Sequence, residues 1–331
     1  MRYLLIALSF LSVALGCNVK GEKLTKSKLS PEKYAPAEIT EWFLSTGDWD
    51  TGPRLYVRTI GKGPDTVIML HGGWGAEHRY LTESTLGLED KYCFVFYDQR
   101  GSLRSPFPDS LISFEHHIQD LELIRKELKL DKLKLVGHSM GAVLACAYRE
   151  KFPDHVKSLI LLAPAYLKKP VSDNDIKLVD QSEREVELFS KRKEVQDELD
   201  KLRLLRTDSP LSSKEKTYKF RISFAGSYLF HIEKWRFMKG GGPFFNPKTR
   251  KLTLASSPSR WDYLHGFKES GIPISIILGD HDCLDMQARI IKEWTSGIPN
   301  VGLTVIKEAG HELWLDQPEA FRSHLDYALK K

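Results

Sequence analysis

The chain has 331 residues, of which 41% are hydrophobic and 28% charged, enough for one large packed core with an insertion. A formal net charge of +5 is small, and its lysines are interleaved with acids, so these stretches read as solvated faces. That balance makes no case for a nucleic-acid partner. Four cysteines are too few and too irregularly spaced for a zinc site or a disulfide framework.

Arg2 precedes the apolar run Leu4 to Leu15, which is short for a membrane span and suits a secretory signal over residues 1–16. The sequence Ala14-Leu15-Gly16-Cys17 resembles the end of a bacterial lipoprotein signal, in which the cysteine becomes the acylated first residue. Lipidation at Cys17 would attach the protein to a membrane; a secreted or periplasmic form with a plain cleaved signal is the alternative, as is an uncleaved anchor. Residues 17–37, rich in lysine and serine with Pro31 and Pro36, then read as a polar tether.

Thr66 to Leu70 reads as a strand and runs directly into His71-Gly72-Gly73-Trp74-Gly75, where glycines let backbone amides approach a substrate oxygen. Cys93 to Tyr97 reads as a second strand, followed by Asp98-Gln99-Arg100-Gly101-Ser102-Leu103-Arg104-Ser105. Asp98 and Arg100 are expected to fix loops rather than react, and the same holds for His71 and His138. Next, Lys132 to Val136 reads as a strand, Gly137-His138-Ser139-Met140-Gly141 as a sharp turn and Ala142 to Tyr148 as a helix. Its two glycines allow a tight turn from which the Ser139 hydroxyl projects, in the manner of a nucleophile elbow. The strand Ser158 to Leu162 ends in Ala163-Pro164-Ala165-Tyr166, which offers no carboxylate.

Residues 168–266 interrupt the strand–helix alternation. Val186, Phe189, Val195, Leu199 and Leu202 fall near helical spacing among charges, and Phe220, Phe224, Tyr228 and Trp235 form an aromatic stripe. That stripe reads first as the inserted region's own core and second as a substrate wall, and some of its residues could do both. Gly240-Gly241-Gly242-Pro243 marks a joint. The alternation resumes with the strand Ile274 to Leu278 before Gly279-Asp280-His281-Asp282, and with the strand Val301 to Val305 before Ala309-Gly310-His311-Glu312. A nucleophilic serine needs a base, and the base an orienting acid. His311 is the expected base and Asp282 the expected acid, with Asp280 its rival. The amides of Gly73 and Met140 are the expected oxyanion donors. Cys93, Cys146 and Cys283 are expected to be buried free thiols.

These elements, in this order, resemble the α/β-hydrolase superfamily from about Glu38 to the C-terminus, apart from the insertion. The resemblance implies a mostly parallel central sheet flanked by helices, with core segments 38–167 and 267–331 and a helical cap over 168–266. Within the superfamily the chain is similar to proline iminopeptidase-like enzymes. His71 to Gly75 is similar to their HGGPG, with Trp74 in place of proline, and Asp98 to Ser105 to their DQRGSGRS. The elbow departs from their GGSWG and has the form widespread in esterases. A serine at the elbow separates the chain from the dehalogenase and epoxide-hydrolase branches.

Three functional classes stand on these residues. An aminopeptidase would need cap carboxylates for a free amine, for which Glu183, Glu185 and Glu187 are available, although glutamates on a helix surface are the far commoner explanation of these three. A carboxylesterase of broad specificity would need only an apolar pocket. A lipid-anchored binding protein without turnover is opposed by the intact serine, acid and histidine. Either enzyme would act on a small molecule or short peptide, without metal or organic cofactor.

Overall fold

The computed structural model describes residues 38–239 and 244–331. Cys17, the signal and tether segments and the Gly240–Pro243 joint therefore lie outside the described residues. One sheet of eight strands organises the rest, in the order β1-β2-β4-β3-β5-β6-β7-β8. These are β1 (Ile39–Ser45), β2 (Arg54–Ile60), β3 (Asp65–Leu70), β4 (Tyr92–Tyr97), β5 (Leu133–His138), β6 (Val156–Leu162), β7 (Ile274–Gly279) and β8 (Val301–Ile306). The strands from β4 to β8 run parallel, whereas β2 is antiparallel to both β1 and β4.

Parallel strands are covered on both faces, and their sequences show it: Val67 to Leu70, Leu159 to Leu162 and Ile276 to Leu278 are continuous apolar runs, all buried. The helices that cover the sheet include α1 (Phe114–Glu127), α2 (Met140–Lys151), α7 (Arg289–Thr295), α8 (Leu313–Asp316) and α9 (Pro318–Leu329). Six strands coincide closely with the sequence expectation. The β1–β2 hairpin does not, because nothing in Ile39 to Ile60 resembles a continuous buried run. Ile39 and Phe43 are exposed on this edge of the sheet.

Between β6 and β7 the chain forms α3 (Asp173–Ser190), α4 (Lys193–Lys201), α5 (Ser213–Tyr228) and α6 (Pro247–Ser256). Ser212 and Glu215 close α5 with a reciprocal capping box. Val195, Leu199, Ile222, Leu229 and Trp235 build a small apolar core here, separate from the core beneath the sheet. Among the described residues, no helix is long and apolar enough to cross a membrane.

The helix α2 comes unusually close to the end of β3. A Cβ on Gly141 would lie 2.2 Å from the Leu70 carbonyl oxygen and 2.8 Å from that of His71. Both are backbone atoms at the end of a central strand and cannot yield cheaply. Gly141→Ala should therefore destabilise the protein by about 2 kcal/mol despite alanine's better helix propensity. Gly47, where an added Cβ would meet nothing within 4 Å, supplies the control. Thermal unfolding of the two alanine variants checks this, and equal melting temperatures would contradict it.

Candidate active site

Ser139 stands between β5 and α2 with φ 54° and ψ −120°, a conformation costly for a residue with a side chain. Its neighbours hold it there. Ser139 N–H donates to the Leu162 carbonyl at 3.0 Å, and its own carbonyl accepts from Ala142 N at 3.0 Å and Ala165 N at 3.1 Å. The side chain is thereby presented to a cavity of about 1100 Å³, which Gly73, Met140, His311 and Glu312 also line.

Across the cavity, His311 Nδ1 is 2.8 Å from Asp282 Oδ2, both side chains almost wholly buried. The other carboxylate oxygen of Asp282 accepts from Leu284 N at 2.8 Å. Asp280 is engaged elsewhere, 2.6 Å from His281 Nδ1. Of the two candidate acids, the structure thus brings Asp282 to the imidazole. Burial alone would depress the His311 pKa, but Cys283 beside the ring and the Asp282 carboxylate at Nδ1 together lift it well above the usual imidazole value. Burial pushes the Cys283 thiol upward, which leaves Asp282 as the charged partner. No hydrogen bond joins Ser139 Oγ to His311 among the described residues, a bond that in hydrolases often tightens only when substrate binds.

Tyr80, which the sequence did not single out, ties the three loops of the site together. Its hydroxyl accepts from Gly72 N at 2.6 Å and lies 2.7 Å from His138 Nδ1. His138 Nε2 lies 3.0 Å from the His311 carbonyl oxygen. The donor order fixes the tautomer: Tyr80 O–H donates to Nδ1, and Nε2–H donates to the carbonyl. Burial, with His311 alongside, depresses the His138 pKa, in keeping with a neutral ring. The bond to Tyr80 consumes the Gly72 amide, which is therefore not free for a substrate oxygen. Met140, the first residue of α2, has an amide without an acceptor inside its helix.

Asp98 and Arg100 act on loops, as expected. Asp98 accepts from His78 N at 3.0 Å and Arg104 N at 3.0 Å, and lies 2.6 Å from His78 Nδ1. Burial would raise its pKa, yet the His78 contacts hold it down at about 2. Arg100 bonds the buried Asp120 and the Leu111 carbonyl. His71 Nε2 accepts from Gln99 N at 3.1 Å, while Gln99 Nε2 donates back to the His71 carbonyl at 2.8 Å.

The inserted helices reach the same loops. Asn246 N donates to the Gly75 carbonyl at 2.8 Å, and Asn246 Nδ2 and Thr249 Oγ1 donate to the Gly101 carbonyl, each at 2.9 Å. Both glycines have positive φ, and a Cβ on either would collide with Asn246 or Thr249. At the other end of the site, His311 N donates to the Tyr228 carbonyl at 2.7 Å.

Two expectations for the insertion hold, and the one for the thiols holds for Cys146 alone. Phe220, Phe224 and Tyr228, spaced four apart on α5, line the cavity, while Trp235 is buried in the insertion's core and Phe224 and Tyr228 also pack against that core, so these two serve both roles. Glu183, Glu185 and Glu187 do not line the cavity and are helix-surface side chains, the commoner explanation of the two: Glu183 is exposed, Glu185 pairs with Arg289 and Glu187 with Lys191. Of the three thiols, Cys146 is buried but Cys93 and Cys283 are only half-buried.

Two side-chain groups have donors close enough to share a cation: Asp282, Cys283 and His311, and Glu77, His78 and Asp98. In the first, Asp282 and His311 already bond each other; in the second, His78 bonds Asp98 and Glu77 pairs with Arg79 and Arg104.

The model of the α/β-hydrolase fold family matches residues 65–318, and the chain belongs to that family. A proline iminopeptidase of Lactobacillus delbrueckii subsp. bulgaricus is 34% identical over 132 residues, which is 38% of this chain and 43% of the relative. A probable lysophospholipase of Arabidopsis thaliana, BODYGUARD 2, is 35% identical over 143 residues, 40% of this chain and 29% of the relative. This chain thus spans less than half the length of either relative. The crystal structure of a proline iminopeptidase-related protein from Thermus thermophilus is similar in fold, with a TM-score of 0.61 and 22% identity over 89% of this chain and 97% of that one.

A titration tests the electrostatics directly. By NMR, the His311 imidazole should titrate above the usual value of about 6.5. Asp282→Asn should lower that midpoint, because the anion that favours the proton is gone, and Asp280→Asn should leave it nearly unchanged. The opposite ranking would show that Asp280 is the partner in solution.

Proposed function

We propose that this protein is a serine hydrolase that acts on an acyl ester or amide through Ser139, His311 and Asp282. The observation that carries the reading is the buried Asp282–His311 bond on the same cavity as a serine held in a strained turn. In the first half-reaction, Ser139 Oγ attacks the acyl carbon as His311 Nε2 takes the hydroxyl proton. Asp282 holds the imidazole by Nδ1 and stabilises its cation. The Gly73 and Met140 amides bind the oxyanion. His311 then returns the proton to the leaving oxygen or nitrogen as the bond to it breaks. Water, deprotonated by the same imidazole, attacks the acyl-enzyme, and the serine recovers its proton as the acid departs. Only the neutral imidazole starts this cycle, so hydrolysis rises with pH through the His311 titration.

Within this class, an aminopeptidase of the proline iminopeptidase kind is the first reading, supported by the 34% identical relative and by His71 to Gly75 and Asp98 to Ser105. A carboxylesterase of broad specificity is the second, favoured by the cavity's mostly apolar wall, which includes Trp74, Phe114, Phe224, Phe244 and Leu284. In either case residues 38–167 and 267–331 form the hydrolase core and 168–266 the cap. A binding role without turnover is disfavoured by the intact Ser139, His311 and Asp282. For localisation, the reading remains an exported protein with a signal over 1–16 and a lipid on Cys17, tethered through 17–37 to a membrane.

Ser139→Ala should abolish hydrolysis of amino-acyl arylamides and short-chain aryl esters while leaving thermal unfolding unchanged, since its hydroxyl is the sole nucleophile. Asp282→Asn should cost about 10⁴ in kcat. Near-wild-type turnover in a folded Ser139→Ala protein would sink the assignment. Separately, the chain expressed in a bacterium with its native N-terminus should partition into detergent, and Cys17→Ala should return it to the aqueous phase. An unmodified Cys17 by mass spectrometry would refute the anchor.

A further inference from the structure

The cavity wall next to His311 carries a carboxyl group that the hydrolytic cycle does not use. Glu312 is only 5% exposed and lines the cavity, yet its Oε2 is fully buried with no hydrogen-bond partner. Other buried acids of the site have partners. Asp282 bonds His311 and Leu284, Glu77 bonds Arg79 and Arg104, and Asp316 accepts from the amides of Phe230, His231 and Gly310. A buried carboxyl left unpaired costs free energy unless something outside the protein satisfies it.

We propose that Glu312 is the polar anchor of the cavity and takes a protonated amine of the substrate. This rests on the serine-hydrolase reading and selects, within it, substrates with an amine near the scissile acyl carbon. Several observations converge on a cation. Tyr80, Phe224 and Tyr228 are aromatic members of the same wall, and neither cation that lines the cavity, Lys169 or Arg250, forms a salt bridge with Glu312 among the described residues. Burial pushes the Glu312 pKa up to about 8; His311 works against that shift, while Glu83 and Asp316 lie close enough to add to it. The same field that keeps the carboxyl protonated would stabilise an ammonium brought against it. On binding, the carboxyl releases its proton to solvent and an ion pair replaces an unsatisfied acid. Protonated His311 opposes this, so the preference for an amine is strongest when the imidazole is neutral and able to act as a base. Glu312 lines the same cavity as Ser139 and His311, so an amine held there belongs to the molecule whose acyl carbon meets the serine. Such anchoring is an orientation effect as well as a binding one.

The test uses the methyl esters of leucine and of 4-methylpentanoic acid, which share a skeleton and differ in the α-amine. The wild-type enzyme should favour the leucine ester, and Glu312→Gln should lower the ratio of kcat/KM values at least tenfold, mainly through KM. Glu312→Asp should restore part of it. Without any substitution, isopentylamine should compete for the cavity at least tenfold better than isopentanol. An unchanged ratio in Glu312→Gln, an equal loss on both esters, or equal inhibition by amine and alcohol would overturn the proposal, the last two pointing to a positioning role or a buried water. Failure of the underlying reading looks different: Ser139→Ala would still hydrolyse both esters.

Discussion

Everything at this site follows from how closely α2 is allowed to approach the ends of the central strands. With no side chain at Gly141, the first turn of α2 packs against the Leu70 and His71 carbonyls. The chain must then reverse within one residue between β5 and α2, and Ser139 bears the positive-φ conformation that results. Such strain persists only when surroundings over-determine it. Here the Leu162 carbonyl and the Ala142 and Ala165 amides do so.

Electrostatics then divides the polar residues into those that hold and those that are free to react. Asp98, Arg100, Asp120 and Glu77 are buried and bonded to loop amides, to loop side chains or to one another, and thus rigidify the walls. Tyr80 and His138 extend that rigidity to the reacting end by connecting the Gly72 amide to the His311 carbonyl through two uncharged groups. A charged relay there would compete with the Asp282–His311 pair for the imidazolium. A neutral one orients without changing the charge of the site.

The parallel strands and the serine turn were legible in the sequence because each leaves a local signature: an unbroken apolar run, or small residues flanking one hydroxyl. Their chain order pointed to Asp282 and His311, but the choice between Asp282 and Asp280 required coordinates, since a small difference in loop path sends Asp280 to His281 instead. Tyr80 and Glu312 escaped notice for another reason. A tyrosine in the 3-10 stretch His78–Thr85 and a glutamate after a histidine carry no periodic signal. Their significance is set entirely by what surrounds them in three dimensions. The aromatic stripe on α5 was visible, yet helical spacing states only that Phe220, Phe224 and Tyr228 share a face. It does not say whether that face meets protein or space.

The bond from His311 N to the Tyr228 carbonyl has a consequence for how members of such a family diversify. Inserted regions are convenient places to change substrate range, because they can be exchanged without touching the sheet. In this protein the last residue of α5 also supplies the acceptor for the histidine's own backbone, while Asn246 and Thr249 cap the loops at Gly75 and Gly101. A transplanted insertion would have to reproduce these three pegs to keep the imidazole in register. Selectivity and chemical competence are mechanically geared to each other, and neither can drift far alone.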